Sequence, residues 1–139
     1  MKQSKLILAA GALILGTFSA EATEFKVIVN SNVGVSDVSS DDLKAVFLGT
    51  KSSLGDAHIA PVLEKSGPAH EAFLKECLGK NDAALTNYYR SLVFTGKGSM
   101  PKTFGSDEDV AAYVAKTKGA IGYVGAAAAV SGVKTLSIK

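Results

Sequence analysis

Short β-branched runs alternating with amphipathic helical patterns constrain this chain most, because strands separated by helices pair in a parallel or mixed sheet covered on both faces. Phe25 to Asn30 is rich in β-branched and aromatic residues and short enough to be a buried strand. Ser39-Ser40-Asp41-Asp42 then supplies an N-cap and first-turn carboxylates, and Leu43, Val46 and Phe47 form the i, i+3, i+4 stripe of a helix that stops at Gly49. Ile59 to Leu63 is the next strand. Pro68 suits the first position of a helix whose apolar face is Ala69, Phe73, Cys77 and Leu78 and which ends at Gly79. Asn81 or Asp82 caps a third helix carrying Leu85, Tyr88, Tyr89 and Leu92, and Phe94 just beyond it is assigned to the core with Tyr88 and Tyr89. Ser106 to Asp109 opens a fourth, with Val110, Tyr113 and Val114 inward and Gly119 past its end. Strands follow at Ala120 to Val124 and Lys134 to Ile138. The expected fold is α/β: a mixed, mostly parallel sheet with helices on both faces and the Phe25 strand central.

The region before the first strand has a different grammar. Lys2 and Lys5 precede an uncharged apolar run from Leu6 to Phe18, and Ala20-Glu21-Ala22 fits the small-x-small pattern of a cleavage site. The run is 13 residues long, whereas a membrane-spanning helix needs roughly 20. Residues 1–22 therefore read as a cleavable secretion signal, with Thr23 as the first mature residue and the product free in the periplasm or outside the cell. The remaining 117 residues make one domain, residues 23–139. They carry 13 basic and 12 acidic side chains without a basic stripe, which argues against nucleic acid as a partner. The lone Cys77 has no internal disulfide partner, and its helical spacing from Phe73 assigns it as a buried structural thiol.

No nucleophile elbow, zinc-protease helix, phosphate-cradling P-loop or cysteine pair is present, so neither catalysis nor a metal or other cofactor is expected. His58 and His70, the two histidines, are placed at a strand start and in a first helical turn, as surface or capping residues. Gly96 to Ser99 reads as a loop leaving the preceding helix, and Asp107 to Asp109 as a helix start that needs no metal. In α/β sheets ligands bind outside the carboxyl ends of strands, often at a helix N-terminus. That rule singles out Glu64-Lys65-Ser66-Gly67-Pro68. Spacing alone leaves two readings open there: an anion site, or a helix cap with no ligand.

Val46-Phe47-Leu48-Gly49-Thr50-Lys51, the stretch from Pro61 to Leu74, Phe94-Thr95-Gly96-Lys97-Gly98 and above all Lys118-Gly119-Ala120-Ile121-Gly122-Tyr123-Val124 resemble the phosphate-binding proteins of bacterial ABC importers. The likeness is ordered along nearly all of the chain after residue 22 and corresponds to one lobe, the second, of a two-lobed type II periplasmic binding fold. It implies an exported solute-binding domain that takes phosphate or a similar oxyanion and acts with an ABC permease, with Lys65, Ser66, Gly67 and His70 as ligand-binding residues. Family members carry an arginine and an S-G-T run at this helix start. Here Pro68 stands in place of the threonine and offers neither hydroxyl nor N–H, Lys65 replaces the forked guanidinium by a point charge, and Glu64 opposes an anion. With one lobe rather than two, weak binding is expected, and a symmetric homodimer facing two Ser66-Gly67 loops would restore the second wall. The alternative from another class is a non-transport accessory domain that uses the same fold to contact an envelope protein.

Overall fold

A computed structural model describes residues 24–139; the assigned secretion signal, residues 1–22, lies outside them. The elements in chain order are β1 (Phe25–Asn30), β2 (Asp37–Val38), α1 (Ser40–Phe47), β3 (Ser53–Leu54), β4 (Ala57–His58), β5 (Ala60–Glu64), α2 (Pro68–Phe73), which continues as a π-helical turn over Leu74–Leu78, α3 (Asp82–Phe94), β6 (Lys102–Phe104), α4 (Asp107–Lys116), β7 (Ala120–Gly125) and β8 (Val133–Ile138). The main sheet has the order β2-β8-β1-β7-β5-β6, and β3 pairs with β4 in a separate hairpin. Strand β1 is antiparallel to both its neighbours, while β7/β5, β5/β6 and β2/β8 are parallel. The sheet is thus mixed and mainly parallel, with β1 inside it, as the alternation of patterns predicts.

Side-chain alternation divides the core in two. Val27 and Val29 of β1, Ile121 and Tyr123 of β7 and Leu63 of β5 point into an aromatic-rich cluster with Leu43, Phe47, Phe73, Leu85 and Tyr89 of α1, α2 and α3. Ile28, Val62 and Val124 point to the opposite face, where Val110, Ala111 and Val114 of α4 cover them. Each fully buried side chain of this size contributes about 1.5–3 kcal/mol relative to exposure. Among the described residues, no helix is long and apolar enough to cross a membrane.

Helix starts coincide with their caps. Ser39, Asn81 and Ser106 each accept a hydrogen bond from the backbone N–H three residues on, at 3.1, 2.8 and 3.1 Å. Asn81 is the cap of α3, which releases Asp82 for another task. Four short strands, β2, β6 and the β3/β4 pair, were not anticipated from the residue pattern. Phe94 is 92% exposed rather than core, because α3 packs through Leu85 and Tyr89 and its last residue overhangs. Cys77 is half-buried against the aromatic cluster rather than fully enclosed, and partial burial pushes its thiol up to about 11, consistent with an unreactive role.

Two glycines in the stretch Gly119 to Val124 are required for different reasons. Gly119 has φ of +78°, and a Cβ there would collide with the His58 carbonyl. Gly122 instead faces α4, where a Cβ would lie 2.9 Å from Val110 Cγ1 and 3.0 Å from Val62 Cγ2. Gly119 is thus pressed against backbone and Gly122 against the Val110 and Val62 side chains, so a Cβ at either position forces its neighbours to shift.

Candidate functional site at the carboxyl end of strand β5

Strand β5 ends at Glu64, and the Lys65 N–H extends the parallel ladder by donating to the Phe104 carbonyl at 2.9 Å. Gly67 then caps α2 with φ of +110°, a conformation that favours glycine, and no side chain caps this helix. Its carbonyl accepts from the Glu71 N–H at 3.0 Å. Pro68 at the first helical position has no N–H, while the first-turn N–H groups of Ala69 and His70 have no intrahelical acceptor. Lys65 and Ser66 are exposed and Gly67 is partly so. Three of the four sequence-selected residues therefore stand together on one accessible turn.

His70 sits apart from them. It is 3% exposed and its ring points inward, so placement as a surface or capping residue is corrected by burial. Its Nδ1 lies 2.6 Å from the Tyr123 hydroxyl and its Nε2 lies 2.9 Å from Asp82 Oδ1. The Glu64 N–H donates to the same hydroxyl at 3.0 Å. One arrangement of hydrogens uses every group: Tyr123 donates to Nδ1, and Nε2–H donates to the Asp82 carboxylate. Tyr123 is fully buried, its ring stacked on Phe73 at 4.0 Å between centroids, and burial pushes its phenol far above the ordinary range. This chain ties the end of β5, the start of α2 and the start of α3 to the middle of β7.

Glu64 itself is 6% exposed, and its Oε2 has no hydrogen-bond partner among the described residues. Burial first, then a hydrogen bond and the charge of Asp107, then the charge of Glu108, push its carboxyl up to about 8. Asp107 begins α4 and also accepts the Gly125 N–H at 3.2 Å, so it joins the ends of β5 and β7 to that helix. The upward shift of Glu64 favours the neutral carboxyl and so weakens the opposition to an anion that Glu64 beside Lys65 implies. Sequence reasoning missed Tyr123, Asp82 and Asp107 as members of this region. The only local signal was a tyrosine inside the Gly119–Val124 run, because the partners lie 53 and 12 residues from His70 and 43 from Glu64.

No protein-family model matches the chain, and no curated protein is detectably similar to it in sequence. Solved structures do match. An ABC-type phosphate transport receptor from Vibrio cholerae superposes with a TM-score of 0.62 at 13% identity, over 83% of this chain and 46% of the receptor. PstS from Borrelia burgdorferi gives 0.63 at 14% identity, over 84% and 47%. The chain has the fold of one lobe of these proteins. A Clostridium perfringens protein solved with bound phosphate, described as a phosphate ABC transporter substrate-binding protein, gives 0.63 at 19% identity, over 83% and 44%. The chain thus spans less than half the length of each of these matched proteins.

Proposed function

We propose that this chain is an exported solute-binding protein that holds a small oxyanion, phosphate in the first instance, weakly and without chemistry at the Lys65-Ser66-Gly67 turn. The observation that supports this most is placement. An exposed lysine and serine precede a glycine-opened helix at the carboxyl end of a parallel strand, in a fold shared with a structure that contains bound phosphate. Lys65 supplies the charge, the Ser66 hydroxyl and the first free N–H groups supply donors, and His70 holds the turn from behind through Tyr123 and Asp82. In this reading residues 1–22 direct export and are removed, the domain works in the periplasm or outside the cell, and an ABC permease is the partner. The helix start favours an anion by only about 0.3–2 kcal/mol. With neither a guanidinium fork nor a threonine hydroxyl, the affinity expected of a monomer is about 10 μM to millimolar. A dimer with two such turns facing each other would bind more tightly as protein concentration rises. Calorimetric titration with phosphate checks this: Lys65→Ala combined with Ser66→Ala is expected to abolish measurable heat. Submicromolar binding by a monomer, or heat unchanged in the double variant, would contradict it.

A further inference from the structure

The large apolar side chains that this fold leaves in water are gathered in one place. Among the described residues four are exposed, and three of them, Val93 at 52%, Phe94 at 92% and Met100 at 47%, meet Arg90 around one open hollow at the end of α3. The chain there is held in a fixed shape. Gly96, with φ of +74°, turns it back, and three of the last helix carbonyls are bonded: Ser91 accepts the Thr95 N–H at 3.0 Å, Val93 the Gly96 N–H at 3.1 Å and Leu92 the Lys97 N–H at 2.9 Å. Gly98 then packs on Leu92, where a Cβ would lie 3.4 Å from Leu92 Cδ1. The tip therefore presents Val93 and Phe94 on a helix end whose polar backbone is already partnered. Charge around it has one sign. From Ala83 to Ser106 the sequence carries Arg90, Lys97 and Lys102 and no carboxylate. Lys51 joins Lys102 and Met100 in lining the neighbouring cleft at the Ala60 end of β5, again without a carboxylate. None of these four cations forms an ion pair among the described residues.

We infer that this tip docks on an anionic lipid bilayer, with Val93, Phe94 and Met100 entering the headgroup boundary and Arg90, Lys97 and Lys102 facing lipid phosphates. Three observations select a bilayer rather than a protein partner. The exposed apolar area of three side chains is of the order of a few hundred Å², short of the roughly 800 Å² that each partner buries in a stable protein interface. A bilayer boundary sets no such requirement, because a few apolar side chains hold there when cations beside them meet anionic headgroups. Entry into that boundary strips water from the helix end, and the carbonyls of Ser91, Leu92 and Val93 tolerate it because they are bonded within the chain. Finally, cations without carboxylates complement a surface of one sign, whereas a neutral apolar partner would leave them without counter-ions. The inference shares no residue with the turn at Lys65 and stands whether or not that turn takes phosphate.

The sequence has no tryptophan, so Phe94→Trp turns the tip into its own reporter. The test uses the chain from residue 23, which contains every described element and leaves out the apolar run from Leu6 to Phe18, whose own affinity for lipid would mask that of the tip. With vesicles of equal parts phosphatidylglycerol and phosphatidylcholine, the emission is expected to shift to the blue and to be quenched by brominated acyl chains. With phosphatidylcholine alone it is expected to stay in place. In co-sedimentation with the anionic vesicles, Phe94→Ser with Met100→Ser should lower the partition of the chain about tenfold or more, and so should Arg90→Gln with Lys97→Gln. Added salt should release the unaltered chain, and Lys65→Ala should leave its partition unchanged. All four substituted positions are exposed, and the tryptophan reporter decides the matter even if a double variant fails to fold. No emission shift with anionic vesicles, an equal shift with neutral ones, or partition that survives the loss of Phe94 and Met100 would overturn the inference. So would self-association in sedimentation velocity that Phe94→Ser abolishes, since a second copy would then cover the tip.

Discussion

The two ends of strand β5 are built on opposite plans. At the Glu64 end the polar groups are turned inward and bonded to one another, from the Glu64 N–H through Tyr123 and His70 to Asp82, leaving a short exposed turn in front. At the Ala60 end the lining of the cleft is mixed, and Lys51 and Lys102 stand at its rim with no ion pair among the described residues. The difference shows how one parallel strand joins two unlike surroundings. Its carboxyl end leads into the glycine-opened start of α2, and its amino end meets the hairpin and the loop before β6.

The largest expected effect tests the backbone contact that holds the Ala60 end together. The Gly119 carbonyl accepts the Ala60 N–H at 2.9 Å, and a Cβ on Gly119 would enter the His58 carbonyl. Gly119→Ala should therefore lower stability by about 3 kcal/mol or more, read from the midpoint of urea unfolding. A loss under about 1 kcal/mol would mean that the hairpin yields at no great cost. At the other end, Tyr123→Phe removes the hydroxyl shared by Glu64 and His70 while retaining the stacked ring. A destabilisation of about 2 kcal/mol is expected from the two groups left without a partner. Stability equal to that of the unaltered chain would show that the relay contributes nothing.

A further effect, read as a slope rather than a single loss, concerns pH. The Glu64 carboxyl is raised from 4.5 to about 8 in the folded chain. The folded state therefore binds more protons than the unfolded one between those values, and its stability falls as pH rises through that window, by up to about 1.4 kcal/mol per pH unit. Glu64→Gln should flatten the dependence and be the more stable of the two at pH 9, as measured by thermal unfolding at several pH values. Parallel pH profiles for the two proteins would place the Glu64 carboxyl in water rather than beside Asp107.

What was legible in the residues was mostly local. Ser39, Asn81 and Ser106 cap their helices through contacts three residues away, so a short window contains the whole cause. The short, β-rich run of β1 likewise marked a buried strand. Strand β6 was not legible, because Lys102 to Phe104 is short and polar and pairs only because β5 offers a free edge. Phe94 continues an apolar helix but lies beyond the part of it that meets α1, a fact about where two helices cross rather than about residue order. For the candidate site, the turn itself was visible as a lysine, a serine and a glycine before a proline. The burial of His70 and the upward shift of the Glu64 carboxyl were not, since each depends on a partner brought in from another element.

The most direct test of the central claim is where phosphate touches the chain. In a ¹⁵N–¹H NMR titration with inorganic phosphate at pH 7, the amides of Lys65, Ser66, Gly67, Ala69 and His70 should move together and saturate in the range of about 10 μM to millimolar. The amides around Lys51 and Lys102 should stay in place. Shifts centred on those two lysines, or none at the Lys65 to Gly67 turn at saturating phosphate, would contradict it.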